Sequence, residues 1–255
     1  MGVFLVQAAI GLCEDFAPVT RFEFGAAAWY FEYKEPGLMT EKGAFVGFQA
    51  SYTYRPPQGA ALEGAMFRTE VRAGFGKVDY DGQLMDGTPH SYKGIDDVLI
   101  EPRFLVGRDF SIAAVRVTPY VGAGYRRLDD FKTHDPHGYD RSSNYLYSPI
   151  GLETWQPMGG PWQMGGIIEY DLFWLGRQDT WLFEQPLRND QHHGYGLRSS
   201  IRFIREGDKS DLVLEPYVIY WDLKASDVDY GSDEVGYVEP LNHSIECGVR
   251  VGICY

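Results

Sequence analysis

The chain has 255 residues, of which 36 are acidic and 23 are lysine or arginine, so its net charge is −13. Its apolar and aromatic content excludes a disordered protein, and its negative charge argues against a nucleic-acid-binding protein, because the field would repel phosphates. Three cysteines without C-x-x-C spacing exclude a disulfide scaffold, and no apolar run reaches the about 18 residues of a transmembrane helix.

Residues 1–20 are predicted to be a signal peptide or a periplasmic N-terminal segment. The chain begins MGVFLVQAAIGLC, an apolar run typical of the hydrophobic region and cleavage site of a secretion signal, although the basic start is missing. The alternative interpretation is an ordinary buried N-terminal strand.

Residues 21–255 are predicted to form one domain of about ten β-strands. Alternation of apolar and polar residues runs through most of this region, whereas helical periodicity is hard to find. Each segment has about 10–13 residues, as a strand tilted by about 45° needs to cross a bilayer. The segments are 21–33, 44–55, 65–78, 97–107, 113–127, 144–155, 163–175, 194–205, 211–223 and 243–255.

The two faces of each predicted strand differ in polarity. In 243–255, for example, Ile245, Val249 and Ile253 lie on the face opposite Glu246 and Arg250. Such a sheet fits a soluble β-sandwich or lipocalin-like barrel, with the charges in water. It equally fits a membrane barrel, with the apolar face in lipid and the charges inside.

The lengths of the connections favour the membrane barrel. Long connections (34–43, 79–96, 128–143, 176–193 and 224–242) alternate with shorter ones (56–64, 108–112, 156–162 and 206–210). Short turns at one end and long loops at the other are typical of outer-membrane barrels. We therefore predict an all-β fold, a closed antiparallel transmembrane barrel in a Gram-negative outer membrane, with both termini on the periplasmic side.

The ends of the strands predict contacts with the membrane and its assembly machinery. The last strand alternates up to a terminal aromatic, Tyr255, which resembles the C-terminal signal that outer-membrane proteins present to the β-barrel assembly machinery. Outer-membrane lipid and lipopolysaccharide are the other expected partners, and nucleic acid is not. Aromatic residues suited to interfacial girdles are Tyr30, Tyr54, Tyr125, Trp155, Trp174 and Trp221.

The charged face predicts a lumen closed by ion pairs. The inward acids are Glu23, Glu70, Glu101, Glu153, Glu169, Asp171, Glu215 and Glu246, and the inward bases are Arg68, Arg72, Arg103, Arg116, Arg198, Arg202 and Arg250. A barrel of about ten strands is narrower than those that hold an aqueous channel, and unpaired buried charges are costly. The alternative is a selective charged pore, although such a pore would carry a ring of one sign.

The loop at 224–242 concentrates acidic side chains. Its run DVDYGSDE has some likeness to a calcium loop, but it departs from the EF-hand pattern. A solvated acidic loop is the preferred interpretation, and no metal site and no cofactor are predicted.

Two short motifs at outer strand ends resemble those of a known family. Asp79-Tyr80-Asp81 closes the third strand and Asp190-Gln191-His192 opens the eighth, and the strings YSPIGLE and GGIIEYDLFWLG follow in similar order. The whole pattern resembles the omptins, ten-stranded outer-membrane endopeptidases that cleave next to basic residues. The resemblance implies that His192, oriented by Asp190, activates a water that Asp79 and Asp81 position.

Strand alternation bears on those four residues. Extrapolation from Arg198 and Arg202 turns Asp190 and His192 inward, as the endopeptidase needs, but Asp79 and Asp81 fall on the outward face. A β-bulge near Gly74 or Gly76 would turn that pair inward.

Three functions are therefore compatible with the sequence. The leading hypothesis is a structural or surface-binding, adhesive barrel whose long acidic loops carry the binding to an unidentified external ligand. The second is an omptin-like endopeptidase, whose acids above the barrel mouth would attract basic peptides. The third is a narrow pore.

Overall fold

The computed structural model describes residues 20–84, 86–182 and 186–255. The predicted N-terminal segment lies almost entirely outside this range. The strands are β1 (Arg21–Glu35), β2 (Met39–Tyr54), β3 (Ala65–Gln83), β4 (Pro89–Arg108), β5 (Phe110–Ile112), β6 (Val115–Phe131), β7 (Arg141–Gly159), β8 (Trp162–Thr180), β9 (Leu187–Gln191), β10 (Gly194–Arg205), β11 (Asp211–Leu223), β12 (Asp229–Tyr230), β13 (Gly236–Tyr237) and β14 (Asn242–Cys254).

Ten long strands form a closed antiparallel barrel. Each long strand pairs with its neighbours in the chain, and β1 pairs with both β2 and β14, which closes the ring. The short β5 pairs with β6. The short β9 continues the line of β10 around the ring, since β9 and β10 both pair with β8. The predicted ten-stranded barrel is confirmed, and closure removes the exposed sheet edges that an open sheet would carry.

The strands reach farther at the outer end than predicted. β4 has 20 residues, and much of the predicted loop 79–96 is strand, because Tyr80 to Gln83 pair with Pro89 to Tyr92. The polar composition of this stretch concealed it, because a strand that projects beyond the membrane needs no apolar outer face. Among the described residues, no helix is long and apolar enough to cross a membrane.

The outer surface of the barrel is apolar, and a dense group of buried charges lies inside it. Large exposed apolar side chains such as Phe24, Phe48 and Ile168 surround the barrel, so this surface suits lipid. Of the predicted girdle residues, Tyr30, Tyr54, Tyr125 and Trp174 are exposed.

Two of the girdle predictions are wrong. Trp155 is 3% exposed and Trp221 is 1% exposed. They share the inward odd positions of their strands with buried Glu153 and Glu215. Both rings pack inside the barrel, so strand parity outweighs position near a strand end.

Candidate functional site

The middle of the lumen is occupied by an ion-pair network centred on Glu101. This carboxylate accepts hydrogen bonds from Arg72 (2.8 Å from Nη2), Arg198 (3.2 Å from Nη1) and the hydroxyl of Tyr147 (2.6 Å). Arg72 also donates to Glu246 (2.5 Å from Nη1). The network joins β3, β4, β7, β10 and β14 across the barrel.

Ion pairs continue above and below this centre. Arg198 also bonds to Asp171 (2.6 Å), and Arg103 lies between Glu70 and Glu169. The further pairs are Arg68 with Glu153, Arg202 with Glu23, and Arg250 with Glu23 and Glu215. Arg116 is buried on the same inward face. The side chains that alternation turns inward thus contact one another from opposite walls.

Arg126 is a charged member of this network that sequence reasoning missed. Arg126 is 1% exposed and donates to Glu246 (2.8 Å). Its number has the same parity as that of Arg116 on β6, which was the available signal. The adjacent Arg127 obscured it; that side chain points outward and pairs with Asp129.

A small cavity lies within the network. The cavity among Arg68, Arg103, Tyr120 and Arg198 has a volume of about 80 Å³, enough for a few water molecules. Both acids and bases line this cavity, so its described lining is not a ring of one charge sign.

A larger cavity opens at the outer mouth of the barrel, above the network, with a volume of about 760 Å³. We call it the outer basin. Its apolar lining is Leu38, Met39, Leu84, Ile95, Leu182, Leu187, Val235 and Val238, and its polar lining includes Glu35, Tyr80, His90, Lys132, Asp135, His137, Tyr139, Arg141 and Glu239. Small-molecule sites typically have volumes of about 300–1,000 Å³ and a lining that combines apolar and polar side chains.

The floor of the outer basin is a second group of buried charges. Arg141 donates to Glu35 (3.2 Å), Glu41 (3.0 Å) and Asp130 (3.3 Å), and Lys132 contacts Glu41 and Asp130. These ion pairs hold Lys132 and Arg141, at the two ends of the loop at 132–140, against the barrel.

One acid in the basin wall titrates near neutrality. Glu239, in the loop between β13 and β14, accepts a hydrogen bond from the hydroxyl of Tyr33 (2.7 Å). Burial raises the pKa of Glu239 to about 7, while Arg141 opposes this rise and Glu35 adds to it. The carboxyl of Glu239 therefore changes from neutral to charged near neutral pH.

A histidine–aspartate group forms another part of the wall. Nε2 of His90 lies 2.5 Å from Oδ2 of Asp135, and Nδ1 of His137 lies 3.8 Å from Oδ1 of the same carboxylate. The backbone N–H of His137 also donates to Asp135 (3.0 Å). The string His134-Asp135-Pro136-His137 was the available sequence signal.

A β-bulge turns His90 into the outer basin. Val78 pairs with Ile95, but Tyr80 pairs with Tyr92, so β4 has one extra residue in this interval. Gly94 adopts φ +75° there, a conformation that favours glycine. Inward positions on β4 are odd below the bulge and even above it, which brings His90 and Tyr92 to the cavity.

The bulge is not where it was predicted to be, and it leaves Asp79 and Asp81 outside. The register between β2 and β3 is unbroken from Asp81 to Phe67, past Gly74 and Gly76. Asp79 and Asp81 are exposed. Asp79 accepts from the N–H of Gly94 (3.0 Å) and Asp81 from the hydroxyl of Ser91 (2.9 Å).

The predicted inward orientation of Asp190 and His192 is wrong. The strand is interrupted between β9 and β10, and this break changes which residues face inward, from even numbers on β10 to odd numbers on β9. Asn189 and Gln191 are therefore buried residues of β9. Asp190 pairs with Arg177 (2.8 Å), and exposed His192 lies 3.0 Å from Asp227. The two motifs lie on strands at opposite sides of the barrel, and the side chains of each motif bond to residues near that motif.

Comparison with known proteins places the fold. No protein-family profile matches the sequence, and no curated protein matches it. Similar solved structures include the outer membrane protease OmpT from Escherichia coli, with a TM-score of 0.57 and 8% identity over 93% of this chain and 97% of that chain.

Two further solved structures are more distant. The translocator domain of the autotransporter NalP from Neisseria meningitidis has a TM-score of 0.42 and 12% identity, covering 92% of this chain and 89% of that one. Neisserial surface protein A has a TM-score of 0.36 and 12% identity, covering 90% of this chain and 96% of that one. At 8% identity the likeness to OmpT shows a shared fold, that of a ten-stranded outer-membrane β-barrel.

Proposed function

We propose that this protein is a non-conducting outer-membrane barrel that binds small basic amphipathic ligands in the outer basin. The observation that carries the proposal is a cavity of about 760 Å³ at the loop end, above an ion-pair network that encloses a cavity of about 80 Å³. A solute that enters the mouth meets the charged floor and then the network around Glu101. Retention at the mouth is therefore favoured over passage.

The charge of the chain indicates the sign of the ligand. Its net charge is −13, and the loop above the basin carries Asp227, Asp229, Asp233 and Glu234. Acidic loops around an apolar cavity raise the local concentration of cations. Short peptides that combine basic and aromatic side chains match both the field and the apolar lining.

The outer surface supports the location and the lipid partners. A belt of exposed apolar side chains suits the bilayer core. Exposed basic residues lie at the outer strand ends, among them Lys77, Arg127, Arg177 and Arg188. Basic residues at that level would contact lipopolysaccharide phosphates. Recognition of the strand ending in Tyr255 by the assembly machinery remains a prediction.

A labelled peptide tests the binding proposal. The probe is a short peptide of tryptophan and two arginines carrying a fluorescein group, titrated against the refolded barrel in lipid nanodiscs. We expect a saturable rise in fluorescence anisotropy that falls with added salt. Empty nanodiscs report partition of the peptide into lipid.

Two variants of one loop locate the binding. Val238 lines the basin, and Val238→Trp should fill part of it and weaken binding at least about tenfold. Val228 is exposed outside that lining, and Val228→Trp should bind as the unmodified protein does. Equal binding by both variants, or the absence of saturable binding, would contradict the proposal.

An endopeptidase of omptin type is the second candidate. It is supported by the fold shared with a protease over 97% of that chain, and by His192 beside Asp227 at 3.0 Å. The same peptide distinguishes it, because cleavage between the arginines yields two products. Cleavage that is lost in His192→Ala would favour the endopeptidase, whereas an intact bound peptide favours the binding protein.

A further inference from the structure

We propose that His90, Asp135 and His137 bind one divalent transition-metal ion of the zinc class in the wall of the outer basin. The site goes beyond the binding function proposed above and does not require it. His90 is the second residue of β4, and the other two ligands belong to the loop between β6 and β7. The metal would join two loops that are distant in sequence.

The geometry is near that of a metal site. The candidate ligand atoms of the three side chains all lie within 4.8 Å of one another. In a tetrahedral zinc site with bonds of about 2.0–2.1 Å, ligand atoms lie about 3.3 Å apart. His90 and Asp135 would move slightly apart from their 2.5 Å contact, and His137 would move inward.

The local structure already holds the central ligand in place. Asp135 is 7% exposed, and its Oδ1 accepts the N–H of His137. The rings of His90 and His137 meet edge to face at 5.6 Å. His137 is 61% exposed at its side chain, so it can rotate without disturbing the barrel.

The chemistry of the ligands selects the class of metal. Two imidazoles and one carboxylate suit zinc, nickel, copper or iron, whereas magnesium and calcium prefer sites made of oxygen ligands. Three protein ligands leave a coordination position free, as in zinc sites that bind water or substrate. All three side chains line the outer basin, so this position would be open to a ligand there.

The bound metal would also fasten the basin. The loop at 132–140 is tied to the barrel by Lys132 and Arg141 at its base, and a bond from His90 would secure its middle. The metal would thus reduce the motion of one wall of the cavity.

Titration calorimetry with zinc chloride tests the site, using the full chain refolded in detergent without a histidine tag. We expect one zinc ion per barrel. His137→Ala and Asp135→Asn should each weaken binding at least about tenfold. His134→Ala is the matched control, because His134 is exposed on the same loop and lies outside the cluster; its affinity should equal that of the unmodified protein.

A second readout reports the coordination itself. Cobalt(II) in a tetrahedral site of nitrogen and oxygen ligands gives a visible band much stronger than that of hydrated cobalt. We expect this band in the unmodified protein and in His134→Ala, and its loss in His137→Ala. No saturable zinc binding, or equal weakening by the control, would overturn the assignment. The peptide titration is made without metal, so failure of one proposal is distinguishable from failure of the other.

Discussion

Glu101→Gln should destabilise the barrel by about 3 kcal/mol. The carboxylate is buried and faces both Arg72 and Arg198, and loss of one charge from a buried ion pair costs about 3–5 kcal/mol. The lower end applies, because Arg72 keeps Glu246 and Arg198 keeps Asp171. The amide also presents N–H donors to guanidinium donors, which adds no compensating bond.

Urea unfolding in lipid vesicles, followed by tryptophan fluorescence, measures this loss. Trp29 and Trp221 are buried in the lumen and report its opening. Asp96→Asn is the matched control on the same strand: Asp96 pairs with Lys77, but both side chains are more than half exposed, so the cost should lie within about 1 kcal/mol. If Glu101→Gln, with an unchanged denaturant slope, costs no more than this control, the network does not hold the lumen together.

Two further predictions concern packing and pH. A Cβ on Gly151 would stand 2.3 Å from Cζ of the Tyr120 ring, so Gly151→Ala should lower the free energy of unfolding in urea by about 1–3 kcal/mol. Gly166→Ala is the control and should cost little, because the nearest atom to its Cβ would be 3.6 Å away. Equal costs for the two variants would contradict the packing. The folded-state pKa of Glu239 is raised to about 7 from 4.5, so docking of the loop at 224–241 should weaken as pH rises between these values and then level off. Hydrogen exchange of this loop should therefore match that of Glu239→Gln at pH 5 and exceed it at pH 8; the same ratio at both pH values would refute the role of the carboxyl.

The barrel could be predicted because membrane-spanning strands obey a strict two-residue alternation. Residues such as Arg72, Glu101 and Glu246 have opposite polarity to their apolar neighbours, and this contrast identifies both strand and face. Beyond the bilayer the contrast disappears, since both faces of a strand meet water. The pairing of Tyr80 with Tyr92 therefore could not be read from the pattern.

The outer site depended on irregularities that alternation cannot locate. The bulge at Gly94 turns His90 inward, and the break after Gln191 turns Asp190 and His192 outward. A one-residue change in register inverts every side chain beyond it, so extrapolation along a strand fails at such points. The meeting of His90 with Asp135 is a contact between loops, for which the sequence offered only the proximity of His134, Asp135 and His137.

The closed lumen is tested most directly by ionic conductance across a planar lipid bilayer containing the refolded protein. Folding is first verified by the shift in electrophoretic mobility on heating. We predict no stable current steps above the membrane background, because the network around Glu101 and the floor around Arg141 obstruct the path. Reproducible ohmic steps from the unmodified, folded protein would contradict the closed lumen and favour the narrow pore.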